Sequence, residues 1–575
     1  MLFVLSTLWF VRETKAILFW LYLWQLKEYH IGRFIDHFRT EKGEKLLINK
    51  PIFLKILLFL AFLLTLFAWS PVVFRASAQY HPLLPYVFQE AGGLIFGLSL
   101  IFLFALYLLE AGKFLTDYFQ KKLIKPVLTK KTAFLISVVL VLEILFLFLL
   151  FQCIEEIIWY ALGILIFDIF TPLIISIIVL ILQPLAVLGR NQIIRMAKEK
   201  RAKFKELLVI GITGSYGKTS TKEFLATILS EKFKVLKTLE HQNSEVGISQ
   251  CILNDLKPEH EIFIVEMGAY NRGGIKLLCD IVKPKIGILT GINEQHMATF
   301  GSQENIVKGK YELIKSLPED GLSIFNGDNE YCFELYKKTL IKKRVYGLQS
   351  SISGLPLDIL AYNIRAEKDF ITFRVVLWDE IADFKVNLMG SQNVSNVLAA
   401  AVCARELGMT LEEISKACQK IESWQSGFQL KKGINGLNII DATYSANPDG
   451  VISHLEYLKI WSGPEGKPSA SYGVNKKVIV MPCLIELGRA SKEVHKRIGQ
   501  KIGEVCDLVI ITTKERFGEI KEGAVEKGIP KENILFIENP KEIFEKIKSS
   551  CQPGDMVLLE SRVPSQLISL LVEEF

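Results

Sequence analysis

Residues 207–222 read LLVIGITGSYGKTSTK: a short apolar run, a Gly-rich turn, then Gly217-Lys218-Thr219 opening a helix. Strand, loop and helix in that order are the layout of a phosphate-binding loop. Glycines let backbone N–H groups point inward at phosphate oxygens, and the helix N-terminus adds a partial positive charge. In such a loop Lys218 reaches the β- and γ-phosphates and Thr219 holds Mg²⁺. Gly214, Ser215, Gly217, Lys218, Thr219 and Ser220 are the candidate contacts to the phosphates of a nucleotide. The general form of the motif has Gly five residues before Gly217, where this chain has Ile212. The rest of the chain therefore has to decide what the loop is.

At 575 residues the chain exceeds one hydrophobic core, and about three or four units are expected. Apolar residues make up 50% and mean hydropathy is +0.30, averaged over two unlike parts. The first 190 or so residues are dense in Leu, Ile, Phe and Trp, and the remainder has the composition of an ordinary α/β enzyme. The formal charge is +7. Its excess lies beside apolar segments, so it reads as membrane orientation, and no nucleic-acid partner is expected. Nine cysteines without a CxxC pair indicate neither a disulfide framework nor a zinc site, which suits a reducing, cytosol-facing catalytic part.

Residues 52–74 form an apolar run long enough to cross a bilayer, which takes about 20 residues. Comparable runs cover 92–109, 133–153 and 157–188. The last is either one long helix or a hairpin turning near Thr171-Pro172. The segments 27–50, 113–131 and 190–205 are rich in Lys and Arg, whereas 75–85 carries one Arg or Lys and 152–156 is acidic. The positive-inside rule places the basic segments in the cytoplasm, with the last run crossing once. Residues 1–26, interrupted by Arg12, Glu13 and Lys15, are a fifth span or an interfacial helix, and Trp9, Trp20 and Trp24 suit a headgroup boundary. Glu90, Glu143 and Asp168 fall within or beside apolar runs. Such acids are functional candidates or occupants of helix interfaces and span ends.

From Glu206 short apolar strands alternate with amphipathic helices. Strands are expected at 207–212, 262–266 and 286–290, and helices at 219–230, 304–317 and 394–407. This alternation argues for a mostly parallel sheet. Glu266 ends a buried strand, at the edge where open α/β sheets bind ligands, and is placed to ligate Mg²⁺. A lone acid there is more often a solvated strand end. His296 follows another strand, where a lone His is more often structural. Lys310 lies on a helix, where an exposed lysine is the ordinary expectation.

Taken in order, TGSYGKTSTK, EMGAY and GINEQHMATFGSQENIVKGKYEL resemble the Mur ligase family, the ATP-dependent peptide ligases of cell-wall synthesis. SIFNGDNE, GSQNVSN (390–396), IIDATYSANPDG and LIELGRASKEVH resemble further motifs of that family, and the resemblance covers about residues 206–575. The last two point to the members that add D-alanyl-D-alanine. The resemblance implies a P-loop central domain at 206–422 and a Rossmann-like C-terminal domain at 423–575. A helical membrane region at 1–190 and a basic cytoplasmic linker at 191–205 would precede them. It also implies that Lys218 and Thr219 hold the ATP phosphates and the first Mg²⁺, with Glu266 and His296 as metal ligands. Lys310 would carry a carbamate that ligates metal, Asn393 and Asn396 would bind adenine, and Asp441 to Asn447 would lie where the C-terminal domain closes over the nucleotide. The implied reaction activates a carboxylate as an acyl phosphate, which an amino acid or dipeptide then attacks. The acceptor would be a muramyl peptide, UDP-linked or lipid-linked, at the bacterial inner membrane.

Several positions depart from that pattern. A membrane region stands where the family has a soluble substrate domain. Phe428 replaces an Arg, Gln392 a His, Ala442 an Asp and Ser445 an Asn, and Glu560 in LLESRVP stands where a Lys-Gly-Ser-Arg stretch is usual. Rival readings are a ligase of another, polyglutamate-like polymer, a P-loop ATPase powering membrane transport, and a membrane scaffold with a degenerate nucleotide domain.

Overall fold

The computed structural model describes residues 1–27, 29, 31–38, 41–47, 49–120, 122–240, 242–348, 357–444, 447–461 and 476–573. By contacts the chain divides into two units, Met1–Gly189 and Arg190–Phe575.

The first unit is helical: α1 (Leu2–Leu26), α2 (Ile31–His37), α3 (Glu41–Leu47), α4 (Lys50–Ala68), α5 (Pro71–Ala78), α6 (Leu84–Phe119), α7 (Lys130–Cys153) and α8 (Ile157–Ala202), the last running on into the second unit. By length and composition, α4, α6, α7 and α8 are long and apolar enough to cross a membrane. Their outward side chains are apolar, among them Leu64, Ile101, Phe148 and Ile181, the surface a helix presents to lipid. The apolar run at 52–74 is broken, because Ser70 caps a new helix and Pro71 occupies its first turn. The expected basic loop at 27–50 contains α2 and α3. The 157–188 run is one helix with Pro172 and Pro184 inside it, not a hairpin. Thr171 and Ser176 hydroxyls bond carbonyls four residues back on either side of Pro172. Trp9, Trp20 and Trp24 are buried in the cores that α1 forms with α6, α7 and α8. Glu143 and Asp168 are buried too, whereas Glu90 is exposed.

The second unit opens on two sheets. The first contains β1 (Leu208–Thr213), β2 (Val235–Lys237), β3 (Ile262–Glu266), β4 (Ile286–Leu289), β5 (Leu322–Asn326), β6 (Lys342–Leu348), β7 (Ile359–Ala366), β8 (Ile371–Leu377) and β9 (Glu380–Val386). Their order is β2-β3-β1-β4-β5-β6-β7-β8-β9. The β2-to-β7 pairs are parallel and β7–β8–β9 antiparallel. The helices between are α9 (Lys218–Leu229), α10 (Glu245–Asp255), α11 (Gly274–Val282), α12 (Met297–Phe300), α13 (Gln303–Lys315), α14 (Glu330–Lys338), α15 (Gln392–Glu406) and α16 (Leu411–Cys418).

Burial explains the layering. β1, β3 and β4 are buried on both faces, as a parallel sheet covered by helices requires. Ile210 and Ile212 face α9 and α15, while Val209 faces α10, α11 and α13. Ile194 and Ala197 join the latter core, so the 191–205 segment is helical as far as Ala202 and docked there. Arg201 binds the carbonyls of Val282, Phe204 and Leu207.

The second sheet holds β10 (Gln429–Lys432), β11 (Asn438–Ala442), β12 (Lys477–Met481), β13 (Leu508–Ile511), β14 (Ile534–Phe536) and β15 (Met556–Glu560). Its order is β10-β11-β15-β12-β13-β14, parallel except at β10. α17 (Pro448–Ile460) and α18 (Ser491–Val505) cover one face.

Candidate active site

The chain leaves the C-terminal end of β1 through Gly214–Gly217 and enters α9, whose N-terminal amides face the loop. Two glycines are required sterically. A Cβ on Gly214 would lie 2.1 Å from Thr290 Oγ1. Gly217 has φ +75°, and a Cβ there would lie 2.5 Å from Asn396 Oδ1, so both conformation and space exclude a side chain. The segment after β4 braces the loop. Ser215 N–H donates to Gly291 O (2.6 Å), Thr290 Oγ1 donates to Tyr216 O (2.5 Å), and Asn293 N–H donates to Ser215 Oγ (3.1 Å).

Register then brings the charged residues to the same edge. Glu266 pairs with Ile212 at the end of β3; its Oε1 accepts from Asn243 Nδ2 at 3.1 Å. Lys218 Nζ donates to Ser215 O at 3.3 Å. Burial lowers the pKa of Lys218, opposed by the Glu266 carboxylate. Lys310, buried on α13, is held well below the usual lysine range by burial and by the Lys218 cation, against the pull of Glu266. It is not the exposed helix lysine that the sequence alone suggests. His296 is held low by burial, with Glu486 opposing and Lys310 and Lys218 reinforcing. Lys218, Glu266, His296 and Lys310 thus share one electrostatic neighbourhood. Lys222, unremarked in the sequence, is buried there, its Nζ 3.2 Å from Glu223 Oε1 and 3.6 Å from Glu266 Oε2.

The C-terminal domain grips the 293–298 segment. His296, with φ +65°, donates from Nδ1 to Glu486 Oε2 at 2.6 Å. Ala298 N–H donates to Glu486 O (3.0 Å), Asn293 Nδ2 to Asp449 Oδ2 (2.6 Å), and Arg497 Nη1 to Glu294 Oε1 (3.5 Å). Tyr444 hydrogen-bonds Thr219. Asp449, Glu486 and Arg497 were not picked out by sequence reasoning. Asp449 and Glu486 sit inside quoted motifs, and the motif match was the available signal.

The remaining candidates have internal partners. Asn393 Nδ2 donates to Met389 O (2.9 Å) and Asn396 Nδ2 to Asn393 Oδ1 (3.2 Å). Asn396 Oδ1 accepts from Thr221 at 3.4 Å, so this pair stands behind the loop. Asp441 accepts from Lys431 (2.6 Å) and Thr443 (2.7 Å); burial would raise its pKa, but these donors keep it low. Asn447 caps α17 through Gly450 N–H. Ser220 is half-buried in the first turn of α9. Ser445 lies outside the described residues.

The donors suit Mg²⁺ rather than a metal held wholly by side chains. Among the described residues no group of three or more His, Cys, Asp and Glu could hold a metal. Thr219 and Glu266 offer hard oxygen donors beside a phosphate cradle, and Mg²⁺ characteristically binds one or two carboxylates plus substrate phosphates and water.

Residues 212–404 match the family model described as Mur ligase middle domain, and 428–562 match that described as Mur ligase, glutamate ligase domain. The chain is 28% identical over 354 residues to the UDP-N-acetylmuramoyl-tripeptide–D-alanyl-D-alanine ligase of Bacillus subtilis, covering 61% of this chain and 72% of that one. It is 30% identical over 356 residues to the enzyme of the same name from Synechocystis, covering 61% and 71%. The fold resembles MurF from Acinetobacter baumannii, with TM-score 0.57 and 24% identity over 66% of this chain and 80% of that one. It also resembles the MurF ligase of Thermotoga maritima in complex with ADP, with TM-score 0.55 and 26% identity over 66% and 83%.

Proposed function

The chain belongs to the Mur ligase family, whose members are ATP-dependent ligases that form C–N bonds, and from that premise we propose that it joins D-alanyl-D-alanine to a muramyl tripeptide. The observation that carries the chemistry is the convergence of Lys218, Glu266, His296 and Lys310 at the phosphate-binding loop. The relatives' names carry the substrates.

A carboxylate is a poor acyl donor because its leaving group would be oxide. Its oxygen attacks the γ-phosphorus of ATP, the bond to ADP breaks, and the acyl phosphate that results has phosphate as leaving group. The dipeptide amine then attacks the acyl carbon. Lys218 and the amides of 214–219 stabilise charge on the transferred group. Thr219 and Glu266 would hold Mg²⁺, with His296 joining them; bound there, the ion neutralises charge developing on the phosphates. The lowered pKa of Lys310 favours the neutral amine that can add CO₂ with loss of a proton, and the resulting carbamate would supply an anion where an ammonium would repel the metal. Asn396 supports the loop from behind. Glu486, Asp449 and Tyr444 close the C-terminal domain over the site and exclude water that would hydrolyse the acyl phosphate.

The membrane assignment rests on α4, α6, α7 and α8 and on the basic segments between them. We propose that they cross the bacterial inner membrane with residues 206–422 and 423–575 as central and C-terminal domains on the cytoplasmic side. Held at the bilayer surface, the site meets lipid-linked as well as UDP-linked acceptors. At two positions that depart from the family pattern, Phe428 stacks on His454 (4.6 Å), and His454 Nδ1 donates to Glu560 Oε2 at 2.7 Å. The test supplies ATP, Mg²⁺, muramyl tripeptide and a panel of amines to the full chain, following ADP and product mass. ADP release that depends on amine, with a new amide, is expected. ADP release indifferent to every amine would overturn the proposal.

A further inference from the structure

Lys222 lies one turn beyond Lys218 on α9 and is completely buried. Its Nζ faces two carboxylates, Glu223 Oε1 at 3.2 Å and Glu266 Oε2 at 3.6 Å. The other oxygen of each is already held. Glu266 Oε1 accepts from Asn243 Nδ2 at 3.1 Å, and Glu223 Oε2 pairs with Lys237. The groups follow one another as Asn243, Glu266, Lys222, Glu223 and Lys237, two carboxylates matched by two ammoniums. A lysine Nζ has three N–H donors, yet that of Lys222 completes no hydrogen bond. Such looseness is out of place in a purely structural pair. Buried polar groups are ordinarily hydrogen-bonded, and a buried ion pair adds little stability unless its donors are satisfied. An ammonium held between two carboxylates by charge alone is suited to shift from one to the other.

Charge decides what the arrangement does. Glu266 is the carboxylate placed to ligate Mg²⁺, and its charge is matched by Lys222. Lys218 faces the same carboxylate. A bare divalent cation entering here meets two ammoniums and a carboxylate already neutralised, and like charges repel strongly where water is scarce. A nucleotide reverses the balance, because its phosphates bring negative charge to Lys218 and the loop amides. Glu223 lets Lys222 give Glu266 up, since its Oε1 is already the nearer acceptor.

We propose that Lys222 is a positioning residue: it serves as internal counter-ion to Glu266, withdraws onto Glu223 as metal and nucleotide bind, and so ties metal entry to the nucleotide. The proposal rests on the reading of Glu266 as a Mg²⁺ ligand.

The test is equilibrium dialysis of the full chain in detergent against Mn²⁺, with and without ADP, so that no turnover is involved. Binding lost in Glu266→Gln defines the site. Without ADP, Lys222→Met should bind Mn²⁺ about tenfold more tightly than wild type, within the usual range of site-to-site coupling of about 5–150-fold. That gain should disappear in the Lys222→Met/Glu266→Gln double variant. Lys222→Arg keeps the charge and should behave as wild type. Glu223→Gln removes the carboxylate that receives Lys222, so with ADP present its Mn²⁺ affinity should fall about tenfold. ADP retained in the same dialysis shows that each variant is folded, and if Lys222→Met does not fold, Glu223→Gln decides. A merely structural Lys222 would shift the unfolding temperature and leave Mn²⁺ affinity unchanged. Mn²⁺ binding untouched by Glu266→Gln would remove the metal-ligand reading and the proposal with it. Glu266-dependent binding that is equal in Lys222→Met and wild type, or unaltered by Glu223→Gln with ADP, would overturn the role of Lys222 alone.

Discussion

Glu486→Ala should weaken domain closure about tenfold. Burial keeps His296 neutral near pH 7, so its contact with Glu486 is a hydrogen bond to a charged acceptor, 2.6 Å long. Such bonds contribute about 1.5–3 kcal/mol. The two side chains retain 21% and 28% exposure, which places this one near the lower end, about 1.5 kcal/mol, or a factor of about ten. The clasp does not vanish, because Ala298 N–H still donates to the Glu486 carbonyl and Asn293 still meets Asp449. Glu486→Gln keeps an acceptor without the charge and should lose about threefold. Small-angle scattering with ADP bound reads the closed fraction, and kcat/KM for the acceptor reads its consequence. Ala and Gln variants both within twofold of wild type would refute the reasoning.

Lys218→Ala should lower turnover by at least about a hundredfold, as removal of a group that stabilises transferred charge does; steady-state ADP release checks it. Lys310→Ala should be as damaging, with partial recovery on adding small carboxylates, and mass spectrometry of the intact protein in bicarbonate should show the carbamate on wild type alone. Gly217→Ala forces a Cβ into a left-handed residue against Asn396, costing about 1–2 kcal/mol, visible as a lower unfolding temperature and a higher KM for ATP. His495 accepts Leu484 N–H on Nε2 (2.9 Å) and donates from Nδ1 to Ser491 O (2.6 Å), so it must be neutral. Burial lowers its pKa below 6.5; the unfolded chain then binds more protons, and stability should fall as pH drops below about 6.5, by at most about 1.4 kcal/mol per pH unit. Denaturant titrations of wild type and His495→Gln should differ in that slope.

The loop and its strand were legible because 207–222 pairs a buried apolar run with glycines that only a tight turn requires. Strands at 262–266 and 286–290 were legible for the same reason, uninterrupted burial. The antiparallel extension β7–β9 went unread: its period-two alternation, as in β8, belongs to a different grammar from the βα repeats before it. α1 was ambiguous because Arg12, Glu13 and Lys15 make it too polar for a span by hydropathy, yet these side chains find partners on α6 and α8. Sequence cannot show such compensation. Nor could it show the clasp, whose pairs are 156, 190 and 203 residues apart. Lys310 was legible only through the family resemblance; its burial and its shifted pKa are products of packing. Phe428 and Glu560 looked like separate losses of basic residues, whereas both pack against His454.

The central claim is activation of a carboxylate as an acyl phosphate, and isotope transfer tests it most directly. The acceptor is prepared with oxygen-18 in its reacting carboxylate and turned over with ATP and D-alanyl-D-alanine. One labelled oxygen should appear in the inorganic phosphate for each amide formed, because the carboxylate oxygen that attacks phosphorus departs with it. Phosphate free of label alongside labelled amide would contradict the account.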